Sequence, residues 1–167
     1  MYEKSRAVFS FPNPVNDIAA RVVAAMVVVL TVSIIITGHG WLIIVLTYGF
    51  LARVSTGPTL SPIGQLATRV IAPRISSTPR LVPGPPKRFA QAIGLAFAVS
   101  ALVAHHVLAL PVAAQVLLGV LALFASIEAF VGFCTGCYVF NWLMRVGLIP
   151  QSVCEACASL DRNSQLR

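Results

Sequence analysis

The chain has 167 residues, of which 57% are hydrophobic and only 10% charged, and its mean hydropathy is +0.87. Soluble domains carry about 25% charged residues, so this composition excludes an ordinary soluble protein and indicates an integral membrane protein. The net charge of +7 does not indicate nucleic-acid binding, because the basic residues mostly flank apolar runs and are not interleaved with aromatic ones. At such positions, positive charge sets membrane orientation and meets anionic lipid headgroups.

The first apolar run begins near Ile18 and is long enough for a membrane span. No small-residue cleavage site precedes a soluble region, so we interpret this run as a retained helix and not as a signal peptide. Residues 1–17 then form a polar lead. Proline disfavours helical backbone in the residue before it, so we expect the helix to begin after Pro14, with Asn16 or Asp17 as its N-cap.

Long apolar runs predict four membrane-spanning helices. They cover about residues 18–37, 41–56, 89–110 and 112–133 or slightly beyond. The second run is short against the roughly 20 residues that a crossing helix needs, so it either crosses or forms a re-entrant hairpin with the first. We favour crossing because Trp41 suits an interface and residues 54–56 can extend the helix.

The predicted fold class is therefore an all-α membrane protein, with four transmembrane helices arranged as two helical hairpins in a domain over residues 18–145. A basic, proline-rich loop joins the hairpins. This loop, from Arg53 to Arg88, contains six basic residues and no acidic one. Within it, apolar residues recur at helical spacing from Ile63 to Ile71, which predicts a short interfacial helix ended by Pro73, or else an irregular basic loop.

The distribution of charge predicts the orientation. Basic residues lie in the N-terminal lead, the central loop and the C-terminal tail, whereas the short turns at 38–40 and 110–111 carry no lysine or arginine. The positive-inside rule then places both termini and the central loop in the cytoplasm. An even number of spans agrees with this placement, and the tail, residues 146–167, is cytoplasmic.

All four cysteines of the chain lie in its last quarter as two C-x-x-C units. They are Cys134 with Cys137 and Cys154 with Cys157. Cytosolic C-x-x-C pairs are more often redox-active or metal-binding than structural disulfides. In a helix, the first pair would share one face, where two sulfurs can form a disulfide, lower each other's pKa or bind one metal. We expect Gly132 and Gly136 beside them to allow another helix to approach closely.

Three interpretations of these cysteines remain open. Redox-active dithiols are favoured. The 16 residues between Cys137 and Cys154 also fit the C-x2-C-x15-20-C-x2-C spacing of zinc sites, so a structural zinc bound by all four thiolates is the alternative. In the third interpretation the cysteines are only small apolar residues.

Glu128 is the acidic residue of the fourth predicted span. Ionisable groups in membrane helices are costly and are candidates for function, so Glu128 either relays a proton or pairs with Arg53, Lys87 or Arg88. It lies close to the first cysteine pair in depth. The three histidines, His39, His105 and His106, fall at the opposite end of the predicted spans, and we assign them no ligand.

Four segments together resemble an uncharacterised bacterial membrane family, common in actinobacteria and catalogued as domain of unknown function four-three-nine-five. The segments are Pro12 to Asn16, Gly57-Pro58 to Arg74, Pro86 to Gln91 and Gly132-Phe133-Cys134-Thr135-Gly136-Cys137, the last being the most specific. The resemblance covers residues 12 to 145. The tail with Cys154 and Cys157 departs from the family's common pattern.

The resemblance implies a thiol or sulfur-transfer context, by association only, because family members are often encoded near thioredoxin-like and rhodanese-type proteins. We therefore expect a protein of the bacterial inner membrane that uses its dithiols with a cytoplasmic thioredoxin-like or rhodanese-like partner. The rival expectation is a non-catalytic membrane anchor with a structural zinc. Zinc is the one cofactor that the cysteine spacing indicates. We expect no nucleic-acid partner, and the sequence is compatible with a homo-oligomer.

Overall fold

The structure is a computed structural model that describes residues 13–75, 78 and 80–149. Its helices are α1 Asp17–Thr37, α2 Trp41–Thr56, α3 Pro62–Leu66, α4 Ala72–Ile75, α5 Gly84–His106, α6 Pro111–Ser126 and α7 Thr135–Arg145. Two π-helical turns, Ala67–Ile71 and Ile127–Val131, continue α3 and α6, and two short strands are β1 Val15–Asn16 and β2 Leu81–Val82.

The start of α1 is fixed beside the start of α5. Asn16 caps α1, its side-chain oxygen accepting the N–H of Ile18 at 3.0 Å, as expected for a helix that begins after Pro14. The strands β1 and β2 pair antiparallel with Val15 opposite Val82, and the N–H of Asp17 donates to the carbonyl of Arg80 at 2.8 Å. Both helices therefore begin at one end of the bundle, which we call the thiol end because Cys134 also lies there.

The four long helices alternate in direction, since short turns at 38–40 and 107–110 reverse the chain. Among the long helices, α2 packs against α5, α5 packs against α6, and α1 packs against α6. The end of α6 consequently lies beside the start of α1. Long-range packing in this way brings residues from three distant parts of the sequence together at the thiol end.

Small residues on α5 allow α2 to approach closely. Ala98, Ala101 and Ala104 are buried on one face of α5, and the ring of Phe50 occupies the space where a side chain at Gly94 would lie. Membrane helices associate through such close packing, because lipid tails compete equally well for apolar side chains.

Three helical segments are long and apolar enough to cross a membrane: Asp17–Thr37, Gly84–His106 and Pro111–Val131. The remaining long helix, α2, has 16 residues and is also apolar. Large apolar side chains cover the outside of the described bundle, including Ile36 at 78% exposure and Phe130 at 76%. A soluble protein rarely exposes so continuous an apolar surface, so length, composition and surface together indicate a membrane protein.

Two boundaries around the central loop differ from the sequence expectation. The third long helix begins at Gly84 instead of residue 89, because prolines are tolerated in the first turn of a helix, where their missing N–H has no partner anyway. The segment predicted as an interfacial helix over Ile63 to Ile71 is helical, but it does not end at Pro73 and continues to Ile75. A widened π-helical turn precedes that proline and relieves the clash that its ring causes in a regular helix.

The fourth long helix ends at Val131, and a separate helix follows it. Gly132 adopts left-handed backbone with φ +76°, and its N–H donates to the carbonyl of Glu128 at 3.1 Å. Cys134 and Cys137 therefore do not lie within a continuation of this helix, since Cys134 caps a new helix and Cys137 lies in its first turn. Glycine after a helix is the commonest way to end it, and here it reverses the chain so that α7 packs against α5.

Candidate functional site

A cluster of three charged residues, two of them buried, lies at the thiol end. The ammonium of Lys87, on the first turns of α5, lies 2.9 Å from a carboxylate oxygen of Glu128 and 3.1 Å from one of Asp17. Lys87 itself is 7% exposed. One cation thus joins the start of α1, the start of α5 and the end of α6, and it lies between two carboxylates that would otherwise repel each other.

Arg21 satisfies backbone groups at the end of α6. Its guanidinium donates to the carbonyl of Ala129 at 3.2 Å and to that of Phe130 at 3.0 Å. The last carbonyls of a helix have no partner within the helix, and a basic side chain is a favourable partner for them. A side chain at Gly132 would meet this guanidinium at 3.2 Å, so Gly132 suits both the turn and the contact.

Cys134 occupies the N-cap position of α7. Its sulfur accepts the backbone N–H of Cys137 at 3.4 Å, and its backbone is extended, as N-cap geometry requires. Neither thiol forms a disulfide within the described chain, and both are partly exposed. The first sulfur of the C-x-x-C motif is therefore at the positive end of a helix dipole, where a thiolate is stabilised.

The two thiols have different acidities. The hydrogen bond from the thiol of Cys137 lowers the pKa of Cys134, and the charge of Lys87 lowers it further, although burial and the charge of Glu128 oppose both effects. The pKa of Cys137 is raised, first because its thiol donates to Cys134 and second because of burial. Cys134 is consequently the sulfur that ionises first.

Helix α7 is held in place by a close contact with α5. A Cβ added to Gly136 would lie 2.6 Å from the Cα of Ala90, so the backbones approach as closely as glycine permits. Beside it, the rings of Phe89 and Phe140 pack with centroids 5.5 Å apart. These contacts fix α7, and with it the positions of Cys134 and Cys137, against the start of α5.

A cavity of about 180 Å³ opens beside Cys134 between α1, α5, α6 and α7. Its polar lining comes from Cys134, Thr135, Glu128 and Gln91, and aromatic and aliphatic side chains form the other walls. We call this the Cys134 cavity. Through this mostly apolar cavity, the thiol of Cys134 is also accessible from within the bundle.

The structure brings together some of the residues predicted from the sequence and leaves others outside the described chain. Glu128 pairs with Lys87, one of the three partners expected for it, and both lie within electrostatic range of Cys134. Cys154 and Cys157 lie outside the described residues. Asp17 was expected only as a helix cap. Arg21 was not singled out, because its partners are backbone carbonyls at the distant end of α6.

The zinc alternative has two of its four ligands in the described structure. Cys134 and Cys137 contact each other through the hydrogen bond from the backbone N–H of Cys137 to the sulfur of Cys134, but residues 13–75, 78 and 80–149 contain no group of three or more potential metal ligands. Structural zinc takes four ligands, so zinc binding would depend on Cys154 and Cys157. His105 and His106 stack on each other with ring centroids 4.7 Å apart, on the last turn of α5, which is the end opposite to Lys87.

Comparison with known proteins gives a family but no described relative. No curated protein and no solved structure matches the chain. The family described as Domain of unknown function (DUF4395) matches residues 15–145, which include the charged cluster, the Cys134 cavity and the first cysteine pair. The match spans most of the 167 residues, so the chain belongs to the DUF4395 family.

Proposed function

We propose that this protein is a membrane thiol protein in which Cys134 and Cys137 form a redox-active dithiol. The pair exchanges disulfides, or carries sulfur, with a cytoplasmic thioredoxin-like or rhodanese-like partner. Cys154 and Cys157 act as a second dithiol in the tail. The observation that carries the proposal is the position of Cys134 at the N-cap of α7, with its sulfur accepting the N–H of Cys137.

The chemistry of exchange follows from the two acidities. The thiolate of Cys134 attacks one sulfur of a partner disulfide, forms a mixed disulfide and releases the partner's other sulfur as a thiolate. The sulfur of Cys137 then loses its proton and attacks Cys134, which releases the partner's second thiolate. Two electrons pass from the dithiol to the partner, whose thiolates take up two protons, and the reverse sequence reduces the pair.

The proposed membrane arrangement has four crossings, with both termini and the thiol end in the cytoplasm of a bacterial inner membrane. Arg53, Lys87 and the central loop lie at the thiol end, whereas the turns at 38–40 and 107–110 contain no lysine or arginine. The positive-inside rule favours this orientation. A helix of 16 residues can cross if it uses flanking residues near the interface or if the bilayer thins locally.

Trapping of mixed disulfides tests the redox role. The Cys137→Ser variant removes the sulfur that resolves the mixed disulfide, so it should accumulate a covalent complex with a thioredoxin-like partner on Cys134. The Cys134→Ser variant should not, and it serves as the matched control. Trapping that persists without Cys134, in a background of Cys154→Ser and Cys157→Ser, would contradict the proposed order of attack.

A metal and free-thiol count on protein purified anaerobically separates the redox role from the zinc anchor. The redox proposal predicts no stoichiometric zinc and one thiol pair that cycles between reduced and disulfide forms under mild oxidant. One zinc per chain, with all four thiols protected until chelation, would favour the anchor and overturn the redox proposal.

A further inference from the structure

Arg53 is a buried cation at the end of α2. It is 4% exposed. Its Nε donates to the side-chain oxygen of Gln91 at 2.9 Å, and its Nη1 donates to the hydroxyl of Ser61 at 3.4 Å. Its Nη2 is buried and has no hydrogen-bond partner within the described part of the chain. All the partners that Arg53 does have are neutral.

The charged residues at this end of the bundle are unevenly paired, because both nearby carboxylates contact Lys87 and neither forms a salt bridge with Arg53. The carboxylate of Asp17 is buried and that of Glu128 is partly buried. Burial of an ionised group without a counter-charge is strongly unfavourable, and arginine does not lose its proton in proteins. The buried guanidinium therefore calls for an anion.

Two weaker interactions do not remove this need. The guanidinium carbon lies 4.6 Å from the centre of the Phe50 ring, which is a cation–π contact. Arg53 also lies in the last turn of α2, where the helix dipole places about half a negative charge. Neither interaction supplies a full counter-charge or a partner for Nη2.

A cavity of about 180 Å³ adjoins Arg53 and is separate from the Cys134 cavity. Among its lining residues are two cations and several polar groups: Arg53, Lys87, Gln91, Asn16 and Thr68. Its volume is several times the roughly 30 Å³ that a water molecule occupies in the liquid, so it can hold a tetrahedral oxyanion. We call this the Arg53 cavity.

We propose that the Arg53 cavity binds a phosphate group. A guanidinium is a usual protein ligand of phosphate, and Arg53 has an N–H group that is free to donate within the described chain, whereas Lys87 is already paired with two carboxylates. The cavity lies where α1 and α5 begin and α2 ends, so in a membrane it is level with the interface, where basic pockets between helices hold anionic headgroups. The source of the phosphate is an anionic lipid such as phosphatidylglycerol, or inorganic phosphate. This site is independent of the proposed thiol chemistry.

The test uses the full chain in neutral detergent and measures thermal unfolding and native mass spectra. Phosphatidylglycerol, compared with phosphatidylcholine, and inorganic phosphate, compared with chloride at equal ionic strength, are titrated separately. The variant is Arg53→Met, and the matched control is Arg69→Met, which removes the same charge from an exposed position of the same loop region.

Wild type and Arg69→Met should show saturable stabilisation by one of the two phosphate sources. Arg53→Met should bind about ten- to hundredfold more weakly, the factor expected for lost charge-assisted hydrogen bonds. Retention of one phosphatidylglycerol per chain identifies a lipid site, and stabilisation by inorganic phosphate alone identifies a free-anion site. An equal response of wild type and Arg53→Met, or no saturable response of wild type, would overturn the proposal.

A second variant guards against misfolding of Arg53→Met. Arg53→Lys keeps the charge but loses the planar fork, so it should fold and bind phosphate severalfold more weakly than wild type. Phosphate binding unchanged in Arg53→Lys would overturn the role of the guanidinium.

Discussion

The ammonium of Lys87 lies 2.9 Å from the carboxylate of Glu128 and joins the start of α5 to the end of α6. Because Asp17 also contacts this ammonium, Lys87→Met would leave the buried carboxylate of Asp17 and the partly buried carboxylate of Glu128 without a cation. Removal of one partner from a buried ion pair costs about 3–5 kcal/mol. We expect Lys87→Met to lower the free energy of unfolding by this amount, as measured by denaturant titration in detergent.

Glu128→Gln should be milder, because Lys87 keeps Asp17 as its counter-charge and the new amide can still accept a hydrogen bond. The two variants therefore form a matched pair with opposite changes in charge. Equal destabilisation by both would show that the cluster does not act as one cation shared by two carboxylates.

Gly136 and Ala90 set the distance between α7 and α5. An added Cβ at Gly136 would lie 2.6 Å from the Cα of Ala90, which is backbone and cannot turn aside. Overpacking of this kind costs about 1–3 kcal/mol. We expect Gly136→Ala to lower the free energy of unfolding by that amount and to slow disulfide formation between Cys134 and Cys137, because α7 has to shift.

Gly119→Ala is the control for this substitution. Gly119 also lies in a helix of the bundle, but nothing lies within 4 Å of the position that its Cβ would take. Alanine is the better helix former, so this variant should be neutral or slightly stabilising. If Gly136→Ala behaves like Gly119→Ala, the close contact between α5 and α7 does not exist in the membrane.

The helices were largely predictable from the sequence, but the site was only partly so. Three of the four predicted spans form helices long and apolar enough to cross a membrane, and the cap at Asn16 was confirmed, because these features follow from local composition and local hydrogen bonding. The pairing of Glu128 with Lys87 was one of three options named for that carboxylate. Periodicity could not choose among them, since the choice depends on how α6 packs against α5.

The sequence did not predict that Cys134 begins a separate helix. An apolar run with two cysteines at i and i+3 fits a continuous helix, and cysteine is not a usual N-cap residue. Gly132 was the available signal, because glycine commonly follows the last turn of a helix. The role of Arg21 depends on the same turn, so its contact with Ala129 and Phe130 could not be predicted without it.

A comparison of alanine variants at Gly132 and Gly147 distinguishes the cost of backbone strain from the cost of steric crowding. Both have positive φ, +76° and +81°, but only at Gly132 would a Cβ meet another side chain, that of Arg21 at 3.2 Å. A non-glycine residue in left-handed backbone costs about 1–2 kcal/mol. Thermal unfolding should show a larger loss for Gly132→Ala than for Gly147→Ala, because Arg21 must also move away from the end of α6. Equal losses would mean that the contact with Arg21 contributes nothing.

The lowered pKa of Cys134 predicts the pH dependence of its alkylation. Only the thiolate reacts, so the rate with iodoacetamide rises as pH increases through the pKa. A lowered pKa moves that rise to lower pH, below the roughly 8.5 of an ordinary cysteine. In a background of Cys154→Ser and Cys157→Ser, Cys134 should therefore react at lower pH than Cys137, whose pKa is raised. A single shared midpoint would contradict the assignment of Cys134 as the attacking sulfur.

Two further variants test the causes of this shift in opposite directions. Cys137→Ala removes the thiol that donates to Cys134, so the midpoint for Cys134 should rise. Glu128→Gln removes a negative charge that raises the pKa of Cys134, so the midpoint should fall further. Loss of structure would instead return the thiol toward its ordinary pKa, which is a rise. A fall in Glu128→Gln therefore cannot come from unfolding, and a rise there would show that the carboxylate does not act on Cys134 through its charge.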